Sequence, residues 1–303
     1  MQSFAPIALF VYTRPEHTRR TLSFLQKNLL ADESRLFIFS DGPKPGQEEN
    51  VNAVRELIRN VEGFKPVEVI ERETNYGLAN SVIDGVTRLI NQYGKVIVLE
   101  DDVITSPHTL QYFNDGLRKY EHEERVMHIT AFMYALKENN LPESFLLRIA
   151  SSQAWATWDR AWKHFEPDID VLMSKFDRQS KHAFEVEGAM NFWKHMQHFK
   201  DGKNNSWAIR WYASVFLNNG LSLNPKISMI DNIGHDGSGV HSAVGEIYRS
   251  PINPNRITSF PDVIEEHKEA FEVLKDFLKH RKGSLLKRGL RYFNHVFTKM
   301  KAR

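Results

Sequence analysis

Within its first hundred residues the chain repeats a two-part pattern that few folds accommodate: a short, nearly continuous apolar or β-branched run, then a longer stretch with apolar residues at helical spacing. The runs occupy residues 6–12, 35–40, 66–71 and 95–99. Strands without alternation are covered on both faces, so these four are expected in a parallel sheet with helices on either side. The intervening stretches support this. Thr13-Arg14-Pro15-Glu16 has the form of a capping box with Pro in the first turn, and Leu22, Leu25 and Leu29 continue one face. Val51, Val54, Leu57, Ile58 and Val61 form the second helical face; Leu78, Val82, Val86, Leu89 and Ile90 form the third, which stops at Gly94. Three crossovers of this kind give a doubly wound sheet.

The pattern loosens after Asp102. A helix carrying Leu110, Phe113, Leu117 and Tyr120 is followed by short strands at residues 126–130 and 145–149, an aromatic stretch from Trp155 to Phe165, and helices to about Phe216. Residues 222–255 read as loop, and helices resume near Asp262. With 41% hydrophobic residues and 20 Phe among 303, the chain has enough apolar mass for a packed core. It has no cysteine, which excludes disulfides, thiolate chemistry and Cys-ligated zinc, and suits a reducing cytoplasm. Neither a signal sequence nor a spanning segment is legible.

In an open parallel sheet, ligands bind beyond the carboxyl ends of the strands. Those positions hold Arg14, Asp41-Gly42, Asn75-Tyr76-Gly77 and Glu100-Asp101-Asp102. Three consecutive carboxylates at a buried strand end are costly unless a cation or hydrogen bonds compensate them, and an all-oxygen donor set favours Mg²⁺ or Mn²⁺. A solvated acidic turn is the plainer alternative. Asp41 could equally cap its own Asp-Gly-Pro turn, Arg14 could be an exposed first-turn residue, and Asn75 and Gly77 could only cap a helix.

The stretch Val98-Leu99-Glu100-Asp101-Asp102-Val103, followed by Pro107 and Tyr112-Phe113, resembles the Glu-Asp-Asp signature of GT-A glycosyltransferases, both family 2 enzymes and the N-acetylglucosaminyltransferases. Phe165-Glu166-Pro167 resembles their acceptor-side segment, and the likeness in motif order covers roughly residues 5–240. It implies a GT-A fold, α/β and Rossmann-like, with a mostly parallel sheet, flanking helices and a helical C-terminal extension. A catalytic domain would occupy residues 1–255, with a donor half at 1–104 and an acceptor half at 105–255; the extension would occupy 256–303. By the same resemblance Asp102 ligates the metal and Asp41 contacts the nucleotide base with Arg14 nearby. Glu100 and Asp101, in the same turn, are expected to shape it and contact ribose, and Asn75 and Gly77, opening a helix whose N-terminus suits an anion, to join the nucleotide-sugar site. A late histidine, His235 or His241, reaches the metal or diphosphate, and the Gly-rich loop around them closes over the donor.

The implied reaction moves a hexosyl or N-acetylhexosaminyl group, with inversion, from a UDP-sugar to a glycan or lipid-linked acceptor. Trp207-Ala208-Ile209-Arg210-Trp211 lacks the carboxylate that relatives carry there, which leaves Asp159, Glu166 and Asp236 as base candidates. Trp155, Trp158, Trp207 and Trp211 are expected either to line an acceptor cleft or to pack the core. Residues 279–303 hold nine Lys or Arg and no acidic residue, around an apolar stripe from Leu285 to Met300. Such a helix either docks on an anionic membrane surface, placing the protein on the inner face, or packs on its own domain. The competing functions are a sugar-phosphate nucleotidyltransferase, against which the absence of a Gly-rich loop after the first strand counts, and a non-catalytic glycan- or nucleic-acid-binding module. No nucleic-acid motif appears, and an acidic rim would repel phosphate backbones.

Overall fold

The computed structural model of the chain describes residues 4–137, 140–234 and 250–281. In chain order its main elements are β1 (Ile7–Val11), α1 (Pro15–Leu25), β2 (Leu36–Ser40), α2 (Glu48–Arg59), β3 (Val67–Glu71), α3 (Leu78–Tyr93), β4 (Lys95–Glu100) and β5 (Val103–Thr105). There follow α4 (Thr109–Lys119), β6 (Val126–Thr130), β7 (Ser144–Leu147), β8 (Trp155–Trp158), α5 (Asp159–Trp162), α6 (Ile169–Ser174), α7 (Arg178–Phe184) and α8 (Phe192–Lys200). The last are α9 (Trp207–Leu217), β9 (Leu221–Pro225), β10 (Ile230–Asn232) and α10 (Lys268–His280).

Eight strands form one sheet in the order β3-β2-β1-β4-β8-β6-β9-β7. The four strands expected from the apolar runs are mutually parallel, and β1 pairs with β2 on one side and β4 on the other. This is the topological switch point, where oppositely directed crossovers leave a crevice at the carboxyl ends. Beyond β4 the sheet becomes mixed. β8 runs antiparallel to β4 and to β6, β9 is parallel to β6, and β7 is antiparallel to β9. The α/β class and the mostly parallel sheet with flanking helices therefore hold.

Alternation along the buried strands divides the core between the two faces. Ile7, Leu9, Val11, Ile97 and Leu99 pack with Leu22, Leu25, Val54, Ile58, Phe113 and Leu117 of α1, α2 and α4. Ala8, Phe10, Val96 and Val98 pack with Val82, Val86, Leu89, Trp211 and Val215 of α3 and α9. Helix α10 packs on β7: Ala270, Phe271, Leu274 and Leu278 bury against Phe145 and Leu147, and Arg148 pairs with Glu266.

Several local expectations are corrected. Helix α1 has Arg14 at its N-cap without a side-chain hydrogen bond, so the Thr13 to Glu16 capping box does not form. It stops at Leu25, and Leu29 is about half exposed. Residues 222–255 are not all loop, because most of β9 and all of β10 lie within them.

His128, in β6, is fully buried with both ring nitrogens engaged. Trp211 Nε1 donates to its Nδ1 at 3.0 Å and Ser151 O lies 2.9 Å from its Nε2, which fixes a neutral ring protonated at Nε2. Burial lowers its pKa to about 4, only partly opposed by the Ser151 carbonyl. The unfolded chain therefore binds the extra proton first as pH falls below the ordinary value of 6.5. This contribution to stability should be complete above that value and decline by roughly 3 kcal/mol by pH 4. Urea denaturation across the range would show the decline, and His128→Gln should flatten it by that amount.

Candidate functional site

Strand β4 is buried through Leu99 and ends at the half-buried Glu100, after which Asp101 and Asp102 make the turn into β5. Glu100 continues the face of Val96 and Val98, whereas Asp101 is 5% exposed and bonded to the start of α1. That start supplies the countercharge. Arg14 Nη2 donates to Asp101 Oδ1, and to Asp102 Oδ2 at 2.9 Å. The Tyr12 N–H also bonds Asp101, and Thr21 Oγ1 donates to the Asp101 carbonyl at 2.8 Å. Arg14 and Asp102 meet because β1 and β4 are neighbours at the switch point.

The electrostatic balance is incomplete. Burial opposes the charge on Arg14, yet Asp101 and Asp102 hold its pKa above the ordinary value. Burial raises the Asp101 pKa, with Arg14 partly offsetting it. Glu100 is pushed up to about 8, first by burial and then by Asp102 and Asp101. Asp101 and Asp102 share one guanidinium, and Glu100 beside them is pushed toward its protonated form, so the turn holds more carboxylate than Arg14 offsets, an imbalance that a bound cation would relieve.

Strand β10 completes the site. It pairs antiparallel with β5, with Asn232 opposite Val103, the residue after Asp102. Asn232 Nδ2 approaches Asp102 Oδ1 at 3.4 Å, its Oδ1 accepts from Gly234 N at 2.8 Å, and Ile233 N donates to Asp102 O at 2.8 Å. Gly234 packs directly on the ion pair: a Cβ there would collide with Asp102 Oδ2 and lie 3.0 Å from Arg14 Nη1. Asn232 and Gly234 are not legible as site residues in the sequence, because β10 is three residues long inside a Gly- and Asn-rich stretch.

Asp41, Asn75 and Gly77 come together, but with one another. The Asp41 carboxylate, 5% exposed, accepts from Gly42 N at 3.0 Å, Tyr76 N at 2.8 Å, Gly77 N at 2.9 Å and Asn75 Nδ2 at 3.1 Å. Asn75 Nδ2 also reaches Gly42 O at 2.8 Å. The anion at the start of α3 is thus the protein's own carboxylate, and these three residues brace the β3–α3 loop against the end of β2. Gly42 has to be glycine for this, since a Cβ would overlap the Thr74 carbonyl carbon.

Two base candidates are corrected by strand direction. Because β8 runs antiparallel to β4, Trp158 pairs with Lys95 and Asp159 N bonds Gly94 O at the opposite end of β4 from the acidic turn. The steps from Lys95 to Glu100, roughly 3.3 Å each, put Asp159 about 17 Å from it. Glu166 N bonds Ser214 Oγ, while Trp155, at the acidic end of the sheet, stacks on Trp207 at the other end of α9. Ser214 is thus about 10 Å along α9 from that rim.

The acceptor-cleft expectation for Trp155, Trp158, Trp207 and Trp211 is corrected too. All four are at most 3% exposed. Strand β8 lies inside the sheet, so Trp155 and Trp158 enter the cores on its two faces. Trp155 stacks on Trp207 with centroids 5.1 Å apart, and Trp158 Nε1 donates to Leu117 O at 3.0 Å. His235, Asp236, His241 and the tail stripe from Leu285 to Met300 lie outside the described residues.

Among the described residues no group of three or more His, Asp or Glu is arranged as a metal cage. The acidic turn fits a cation of another kind: a hard ion taking one or two carboxylates here and its other ligands from substrate phosphate oxygens. No helix of the described residues is long and apolar enough to cross a membrane.

No protein-family model and no curated protein matches the chain. Among solved structures it is similar to the mannosyltransferase PcManGT from Pyrobaculum calidifontis in complex with GDP-Man and Mn²⁺, with 11% identity over 71% of this chain and 70% of that one, TM-score 0.37. It is similar to residues 1–349 of S. aureus TarS, with 12% identity over 74% of this chain and 59% of that one, TM-score 0.41. A UDP-glucose pyrophosphorylase complexed with UDP-glucose shares 12% identity over 74% of this chain and 91% of that one, TM-score 0.34.

Proposed function

We propose that this chain is a glycosyltransferase that binds a nucleotide-diphosphate sugar, UDP-linked by the resemblance, across the switch point between β1 and β4, with Mg²⁺ or Mn²⁺ at Asp102. The observation that carries this reading is the acidic turn at the carboxyl end of β4, left with uncompensated charge and framed by Arg14, Asn232 and Gly234. When bound, the cation would neutralise charge developing on the departing diphosphate. Asp102 would hold it, Arg14 would present a fork of N–H donors to phosphate oxygens, and Glu100, beside them, would contact ribose. The loop braced by Asp41 would bound the nucleotide end, with Tyr76, 47% exposed, on its surface.

Transfer with inversion also needs a base for the acceptor hydroxyl of a glycan or lipid-linked acceptor. With Asp159 at the far end of β4 and Glu166 beside Ser214, away from the rim, Asp236, two residues along the chain from Gly234, is the base proposed. The catalytic domain is proposed to span residues 1–255, with donor binding in 1–104, and the basic end of the 256–303 extension, residues 279–303, is proposed to meet an anionic membrane surface. A nucleotidyltransferase is disfavoured because only Tyr12, Thr13 and Arg14 separate β1 from α1, too short a connection for a phosphate-cradling loop.

Release of nucleoside diphosphate from a panel of nucleotide sugars, with Mn²⁺, Mg²⁺ or chelator, tests the assignment. Turnover of at least one sugar nucleotide, lost on chelation, is expected; pyrophosphate-dependent formation of nucleoside triphosphate instead would identify a nucleotidyltransferase. Gly234→Ala should cut turnover about tenfold or more while keeping the fold, because its methyl group displaces Asp102 or Arg14.

A further inference from the structure

Arg14 is placed where the cation's own ligand must be available. Its Nη2 is 2.9 Å from Asp102 Oδ2 and bonds Asp101 Oδ1 at the same time. Gly234 closes over the pair from the β10 side, and Asn232 takes the other Asp102 oxygen. A bare divalent ion approaching Asp102 therefore meets a fixed positive charge and a carboxylate already engaged at both oxygens. Asp101, by contrast, is buried and held by the Tyr12 N–H as well. It stays behind as an anchor if the guanidinium leaves Asp102. The Arg14 side chain retains 20% exposure, so it is open to solvent on one side.

We propose that Arg14 couples cation binding to diphosphate binding: in the free chain its guanidinium occupies Asp102, and a nucleoside diphosphate draws it off, so that the cation enters only together with the nucleotide. This rests on the donor-site reading above. The exchange is electrostatically matched. The diphosphate offers Arg14 more negative charge and a better fit to its planar fork than one carboxylate oxygen does, while Asp102, freed of its guanidinium, regains a partner in the cation. Binding of each ligand then strengthens binding of the other by the same factor. The consequence is selectivity: the site discriminates against free metal ions and against nucleoside monophosphates, which bring less charge to Arg14.

Electron paramagnetic resonance of Mn²⁺, titrated against the full chain with and without UDP or GDP, tests this without any turnover. The wild-type chain alone should hold Mn²⁺ weakly, and the nucleoside diphosphate should strengthen binding about tenfold or more beyond the nucleotide's own affinity for Mn²⁺. Arg14→Met and Arg14→Gln should bind Mn²⁺ about tenfold or more tightly than wild type in the absence of nucleotide, with the coupling largely gone. Arg14→Lys, which keeps the charge, should stay weak. Thermal melts confirm that each variant is folded, and the nucleotide-dependent gain in Mn²⁺ affinity of the wild-type chain reads the coupling even if the neutral variants do not fold. Neutral variants that bind bare Mn²⁺ no better than wild type, while nucleotide and metal still bind together, would overturn the gate alone. Failure of every nucleotide and cation combination to bind would overturn the donor site with it.

Discussion

Asp102→Ala is expected to lower glycosyl transfer by roughly 10²–10³-fold, equivalent to about 3–4 kcal/mol of transition-state stabilisation. The cation's carboxylate disappears at the moment when charge builds on the leaving diphosphate, while Arg14 keeps its Asp101 anchor. The fold should tolerate the change, because the Asp102 side chain is partly exposed and its carbonyl still accepts from Ile233 N. Asp102→Asn should be nearly as impaired, since it retains the shape and the contact to Arg14 but lacks the charge. Steady-state kinetics with excess Mn²⁺ check both variants, and transfer rates close to wild type would remove Asp102 from the mechanism.

Asp41→Ala should instead be a stability variant. Its carboxylate satisfies the backbone N–H groups of Gly42, Tyr76 and Gly77 and the Asn75 amide in a site that is 5% exposed. Alanine would leave these donors buried without an acceptor, at about 1–3 kcal/mol for each that water cannot reach. A loss of about 3–5 kcal/mol in the free energy of unfolding is expected by denaturant titration, with Asp41→Asn intermediate because one oxygen remains. If Asp41→Ala kept its stability within about 1 kcal/mol and lost only nucleotide affinity, Asp41 would be facing the donor, as the resemblance implies, and the bracing role would be wrong.

These two aspartates show what the sequence can and cannot convey. The acidic triplet is legible because the run Val96 to Leu99 marks a strand buried on both faces, and the residue after such a strand has to emerge at the rim. A shared rim for Arg14 and Asp102 follows from the expectation of a doubly wound parallel sheet, and the β1–β4 pairing, which the sequence does not convey, makes them direct neighbours. Asp41 stands at an equally good rim position, yet four local donors absorb its carboxylate, and no one-dimensional pattern records that a neighbouring loop folds back onto it. Strand direction is the costlier omission. The sequence of β8 reads the same whether parallel or antiparallel, but only the antiparallel direction sends Asp159 to the wrong end of the sheet. The tryptophans mislead for a related reason: Trp155, Trp207 and Trp211 form a single aromatic cluster with His128 and Trp162, drawn from β6, β8, α5 and α9, of which only β8 and α5 are adjacent in the chain. A large aromatic side chain suits a sugar face and a protein core equally, and burial alone decides between them.

The most direct test of the donor site is a thermal-shift comparison of the wild-type chain and Asp102→Ala, each with UDP, GDP, CDP or dTDP in the presence and absence of Mn²⁺. At about a hundred times its dissociation constant, one diphosphate with Mn²⁺ should add roughly 2.7 kcal/mol to the apparent stability of the wild-type chain, a rise of several degrees, and far less without the metal or in Asp102→Ala. A rise of the same size in Asp102→Ala, or no rise with any of the four, would contradict a donor site at the end of β4.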